Sequence, residues 1–201
     1  KTRIDLMDDE LMEAMASVGL KKIGFGLESG VYDHRKAMKK DFSNDRVKQV
    51  FDSANRLGVE PACTIIFGHP DETVEDMQAS VDMVKDIRAA YVEFHIMVLV
   101  PKTQLFYQAV REGKATEDLF DRFMRGEITY PEYSPGDLTP EDMRRIHSSA
   151  IRQFYFRPRY FAETLRRVNK FSDLVQYSKT ARSLLKMSEH EPVWKRGRSR
   201  L

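Results

Sequence analysis

Three short stretches of this 201-residue chain mix glycine or proline with polar side chains: Gly26-Leu27-Glu28-Ser29-Gly30, Phe67-Gly68-His69-Pro70-Asp71-Glu72-Thr73 and Val100-Pro101-Lys102-Thr103. The mixture suits a small-molecule site, because glycine lets backbone approach a ligand closely while a few charged or hydroxyl groups direct hydrogen bonds. A carboxylate such as Glu28 can accept two hydrogen bonds, and an ammonium such as Lys40 can pair with a carboxylate. Metal chemistry finds less support. His69 and His95 have no second ligand at metal spacing. The single cysteine, Cys63, can neither close an internal disulfide nor supply the three or four thiolates that an iron–sulfur cluster needs.

Each of the three stretches ends a predicted strand. Lys22 to Glu28 is a short strand opened by glycines, Pro61 to Phe67 is almost continuously apolar, and Tyr91 to Val100 alternates before Pro101 stops it. Helical spacing separates them. Leu11, Met15 and Val18 precede Gly19; Val47, Val50, Phe51, Ala54 and Leu57 follow a capping Ser43 and end at Gly58; Val74, Met77, Val81 and Val84 follow a capping Thr73. A further helix is predicted over Gln104 to Glu112. Strand and helix in tandem predict an α/β fold of about three βα units with a parallel sheet, whose reactive groups gather at the C-terminal strand ends. Three parallel strands alone leave both sheet edges open, so more strands are expected upstream. The chain reads as an excised piece of a longer protein.

A change of pattern after Gly113 divides the chain into 1–112, the βα units, and 113–201, a mainly helical extension. Thr139-Pro140-Glu141 opens a helix with Met143, Ile146, Ala150 and Phe154 on one face. Helical character is predicted to about Met187, with a loose basic end at Trp194-Lys195-Arg196-Gly197-Arg198.

A composition of 41% hydrophobic and 32% charged residues excludes disorder. No apolar run approaches the ~18 residues of a membrane span, and a cytoplasmic protein is expected. The net charge of +2 conceals a gradient: residues 1–138 carry 18 basic and 25 acidic side chains, and residues 139–201 carry 15 and 6. A basic tail docking on its own acidic domain explains this. The competing functional class is a non-catalytic α/β module that binds an acidic partner or RNA through that tail.

The motifs together resemble the radical S-adenosylmethionine superfamily, in the subgroup with an upstream cobalamin-binding domain. Gly26 to Gly30 fits its Gly-x-Glu-Ser-Gly segment. Lys40-Asp41-Phe42-Ser43 fits the basic segment that follows, with aspartate in place of the usual glycine. Ile65 to Thr73 fits the end of its fifth strand with one extra residue, and Pro101-Lys102-Thr103 fits Pro-Gly-Thr with the glycine lost. Phe154-Tyr155-Phe156-Arg157-Pro158 fits the aromatic stretch after the barrel. The resemblance covers residues 5 to about 165. The methylthiotransferase relatives fit less well, because they end in a β-rich module and this tail is helical.

The resemblance implies that the chain is the C-terminal half of a partial (β/α) barrel of TIM type. It would belong to an iron–sulfur oxidoreductase or methyltransferase-like enzyme, and would position S-adenosylmethionine and a small-molecule substrate. A 4Fe-4S cluster would be held by an upstream Cys-x3-Cys-x2-Cys loop absent here, and cobalamin by an upstream domain. The partners implied are the rest of the same polypeptide, with nucleic acid not expected. Glu28 and Ser29 would meet ribose hydroxyls, Lys40 the methionine carboxylate, and the backbone from Ile66 to Gly68 the adenine, with Glu72 also in the site. Structural alternatives stand beside these roles. Glu28 can cap a turn, Lys40 can be solvated beside Lys39, and Glu72 and Thr73 suit a helix N-terminus whatever the function. His69, His95 and Cys63 can be satisfied within the fold, and the aromatics from Phe154 to Phe161 can form a packed helix elbow rather than a stacking surface.

Overall fold

The computed structural model describes residues 1–128 and 132–167, and three of its helices begin where the sequence placed capping side chains. Ser43 accepts from the Arg46 amide to start α3 (Asn44–Arg56). Thr73 and Asp76 form a reciprocal capping box at α4 (Val74–Asp86). Thr139 and Asp142 do the same at α7 (Pro140–Tyr155), with Pro140 in the first turn. Each such cap stabilises a helix by about 1 kcal/mol because it satisfies amides that have no partner within the helix. The remaining helices are α1 (Asp9–Ser17), α2 (Tyr32–Ala37), α5 (Gln104–Arg111), α6 (Leu119–Met124) and α8 (Pro158–Arg167).

Three parallel strands, β1 (Lys22–Glu28), β2 (Glu60–Phe67) and β3 (Tyr91–Ile96), lie in the order of the chain. Three strand–helix units are therefore present, with a helical segment after them, as expected. The unbroken order is that of a singly wound sheet. One face of the sheet carries Phe25, Leu27, Cys63, Ile65, Phe67, Val92 and Phe94, all buried under the helices with Val47, Phe51, Met77 and Val84. Each of these large side chains contributes about 1.5–3 kcal/mol on burial. Gly24, Gly26, Thr64, Ile66, Tyr91, Glu93 and His95 alternate onto the other face, which no described helix covers.

The two sheet edges end differently. Thr2 forms a parallel bridge to Phe25, so the ladder continues beyond β1. On the β3 side, helix α7 runs along the edge and satisfies its backbone with side chains. The Tyr155 hydroxyl accepts from the Val92 amide at 3.1 Å and donates to the Val92 carbonyl at 2.7 Å. His147 donates from Nε2 to the Phe94 carbonyl at 2.9 Å, which fixes its tautomer. Met143, Ala150, Ile151 and Phe154 of α7 join the core of the βα units. Helix α5 packs elsewhere, in a second cluster of Leu99, Phe106, Ala109 and Tyr133.

Some expectations are corrected. In α1 the buried residue is Met12, whereas Leu11 and Val18 are exposed, because α1 meets α3 along a single narrow stripe. Val74 is also exposed. Strand β3 stops at Ile96, because its partner β2 ends at Phe67; Val98 instead pairs antiparallel with Glu132. The short helices α2 and α6 have no side-chain cap, so nothing in the sequence announces them. No described helix is long and apolar enough to cross a membrane. The predicted helix beyond residue 167 and the basic end at Trp194 to Arg198 lie outside the described residues.

Candidate ligand site at the strand tips

Strand β1 ends in a bulge. Gly26 pairs with Thr64 and Glu28 with Ile65, so Leu27 is the extra residue. Glu28 follows with a φ of 70°, a left-handed conformation that costs a side-chain-bearing residue about 1–2 kcal/mol. Bulges of this kind re-aim a side chain. Here the Glu28 carboxylate turns to Lys40, with Oε1 2.7 Å from the ammonium, and Lys40 also donates to the Gly26 carbonyl at 2.7 Å. Both side chains are more than four-fifths buried. Glu28 Oε2 is buried and has no hydrogen-bond partner among the described residues.

Gly26 is required by this pair. A Cβ there would lie 2.6 Å from Glu28 Oε1 and 2.7 Å from Lys40 Nζ. The glycine thus leaves room for the ammonium and the carboxylate to meet over it, and the carboxylate keeps free acceptor capacity, which fits a small polar ligand.

Ser29 is placed elsewhere. Adjacent to Glu28 but pointing oppositely, it is fully buried; its hydroxyl accepts from the Val31 amide at 3.1 Å and lies 3.4 Å from the Ser80 hydroxyl of α4. The next residue donates from the Gly30 amide to the Ser80 hydroxyl at 2.8 Å. Ser29 and Gly30 therefore fasten the tip of β1 to α4, and the expected meeting of Ser29 with a ligand beside Glu28 is not what this geometry arranges.

On the neighbouring tip, Ile66 sits on the uncovered face and is partly exposed. Gly68, with a φ of 98°, is crowded: a Cβ would meet the Tyr133 carbonyl at 3.0 Å and Met143 Cε at 3.2 Å. The segment around Tyr133 thus packs against the end of β2. Glu72 holds that end from the other side, its Oε2 accepting from the Gly68 amide at 2.6 Å and the His69 amide at 3.1 Å. Burial raises the Glu72 carboxyl to about 7 despite these bonds. Its Oε1 has no hydrogen-bond partner among the described residues.

His69 is buried and stacks on His34 with ring centroids 6.0 Å apart. Burial lowers it to about 4, so the ring is neutral at pH 7. His95 lies on the uncovered face, 3.7 Å from Glu93. Cys63 is buried on the opposite, helix-covered face, and burial pushes its thiol up. A single thiol held in this way does not fit the ligand set of an iron–sulfur cluster. Around Tyr155 the aromatics form a packed elbow, with Phe154, Tyr155 and Tyr160 ring to ring and the Arg157 guanidinium 4.2 Å over Phe154.

The structure therefore brings Glu28 and Lys40 together at the tip of β1, with Ile66 and Gly68 on the adjacent tip. It sets Ser29 and Glu72 into the supporting scaffold. The residue that the sequence did not single out is Arg35, fully buried in the loop between Ser29 and Phe42. An arginine in a polar run carries no sign of burial.

The Radical SAM superfamily model matches residues 2–84. An uncharacterised methyltransferase of Pyrococcus horikoshii is 24% identical over 159 residues, covering 79% of this chain and 34% of the relative. The cytidylyl-2-hydroxyethylphosphonate methyltransferase of Streptomyces wedmorensis is 29% identical over 114 residues, covering 53% of this chain and 21% of the relative. Among solved structures, the radical S-adenosylmethionine methyltransferase TsrM from Kitasatospora setae, with cobalamin and a 4Fe-4S cluster bound, is similar at 18% identity. Its TM-score is 0.49, over 55% of this chain and 22% of that one. The chain spans a fifth to a third of the length of these curated relatives. Over residues 2–84, the segment that runs through β1, β2 and their tips, the chain is similar to the radical SAM superfamily.

Proposed function

We propose that this chain forms the C-terminal half of a radical SAM barrel, residues 1–112, with a helical extension, residues 113–201, and that it belongs to a cytoplasmic methyltransferase-like enzyme. Its β1 and β2 tips would hold S-adenosylmethionine. The observation that carries this is the Glu28–Lys40 pair over Gly26, with a strained Glu28 backbone and a buried carboxylate oxygen that still lacks a partner. Outliers of this kind concentrate at functional sites.

The residue types suit the cofactor's chemistry. Glu28 Oε2 would accept from ribose hydroxyls, Lys40 would pair with the methionine carboxylate, and the backbone of Ile66 to Gly68 would flank the adenine. Glu72 keeps those amides in place. When bound, S-adenosylmethionine supplies the radical or methyl-transfer chemistry; this chain binds, orients and shields it from water. The cluster's thiolates come from outside this chain, and the parallel bridge at Thr2 supports further strands on that side. The subgroup resemblance extends the proposal to cobalamin in a preceding domain and to a small-molecule substrate.

The test is S-adenosylmethionine affinity in the reconstituted protein. Glu28→Ala should weaken it at least about tenfold, the loss of one charge-assisted contact, with cluster content unchanged. Equal affinity in the variant would overturn the assignment.

A further inference from the structure

Arg35 is the largest side chain in the described structure with no exposure, and no carboxylate pairs with it. Its Nη1 donates to the Ser29 carbonyl at 2.9 Å, and its Nη2 to the Phe42 carbonyl at 3.2 Å and to Asn44 Oδ1. The guanidinium also lies 5.3 Å from the Phe42 ring centroid and 5.9 Å from that of Tyr32. Burying a guanidinium without a counter-ion is unfavourable, and an apolar side chain of similar volume would fill the space at no such cost. Stability alone therefore does not account for an arginine here.

What the guanidinium does is join the two limbs of one loop. Ser29 is bonded to Glu28, and Phe42 lies two residues beyond Lys40. The Lys40 amide also donates to the Arg35 carbonyl at 2.9 Å. The loop is thus closed twice, at its base by Arg35 and at its rim by Glu28 and Lys40. The planar fork reaches three acceptors at fixed angles, which neither a lysine nor a leucine can do. We infer that Arg35 is a positioning residue that sets the Glu28–Lys40 pair through Ser29, Phe42 and Asn44; its ligand role rests on the function proposed above.

The test reads Lys40 directly. Lysines are reductively methylated with 13C-formaldehyde, and the Lys40 signal is assigned by its loss in Lys40→Arg. In the native protein that signal should stand apart from those of exposed lysines. Arg35→Met should move it toward them, and Asn44→Ala, a change at an exposed position that tests the same strut if Arg35→Met does not fold, should move it part of the way. S-adenosylmethionine affinity should fall about tenfold in Arg35→Met, a consequence of sub-ångström misplacement of binding groups. A native Lys40 signal in folded Arg35→Met or Asn44→Ala overturns the inference. A shifted signal with undiminished cofactor affinity in both Arg35→Met and Glu28→Ala supports the positioning and overturns the proposed function instead.

Discussion

The Glu28 carboxylate and the Lys40 ammonium meet 2.7 Å apart directly over Gly26, in the space its Cβ would occupy. A second glycine four residues on is crowded by something quite different. A Cβ on Gly30 would lie 2.5 Å from the Ser80 Cα, which is backbone of α4.

These two glycines should respond differently to alanine. At Gly26 the obstructing atoms are ends of flexible side chains, so Gly26→Ala should cost about 1 kcal/mol of stability while separating the pair. At Gly30 the helix itself must move, and Gly30→Ala should cost about 3 kcal/mol or more. Urea unfolding of both variants checks the order; equal losses would contradict the packing.

Lys102 occupies the position where the family's glycine is lost, and it adopts a φ of 62°. The turn keeps the glycine conformation with a lysine in it, and Thr103 still caps α5 by accepting from the Phe106 amide at 3.2 Å. Lys102→Gly should therefore stabilise the protein by about 0.5–1 kcal/mol, the left-handed cost less the entropy of glycine. The denaturation midpoint should rise with an unchanged slope. At Asp41, which replaces the other family glycine, φ is not positive, so Asp41→Gly should bring no such gain.

Much of this architecture was readable from the sequence, because caps and periodicity are local. Ser43, Thr73 and Thr139 start their helices, and the apolar run to Phe67 is a strand, although so continuous a run predicts cover on both faces and the described helices cover one. What could not be read depends on distant partners. Strand β3 is cut short by the end of β2, Ser29 faces α4 because of Ser80, and α7 lies against β3 where α5 was the nearer candidate in sequence. Of the candidate site proposed above, Glu28, Lys40, Ile66 and Gly68 could be named from motif and strand end. Arg35 could not, since its three acceptors are assembled only when the loop folds.

Tyr155 should act as an edge clamp on β3. Tyr155→Phe keeps the ring contacts but leaves the Val92 amide and carbonyl without their partner, a loss of about 1–3 kcal/mol. Amide exchange at Val92 should accelerate far more than at Cys63; uniform acceleration would mean that the hydroxyl has no local role.

Glu72 should give the protein a pH-dependent stability component. Its folded value of about 7 lies above its ordinary value of 4.5, so the folded state favours the protonated form. The contribution is complete below about pH 4.5 and is lost as pH rises through 7. Glu72→Gln should remove that slope, on the order of 1–3 kcal/mol over the window. His69, lowered to about 4, works in the opposite sense, gaining above pH 6.5 and losing as pH falls through 4. Comparing native protein with Glu72→Gln isolates the carboxyl, and parallel stability curves would contradict its burial as an acid.

The central claim is that the tips of β1 and β2 form one S-adenosylmethionine site, and photolabelling the protein with an azido-adenine analogue of the cofactor tests it most directly. Label should appear on peptides containing Ile66 to Gly68, disappear with excess S-adenosylmethionine, and fall sharply in Glu28→Ala. Label confined to the α5–α6 region, or insensitive to competition and to Glu28, would place the cofactor elsewhere.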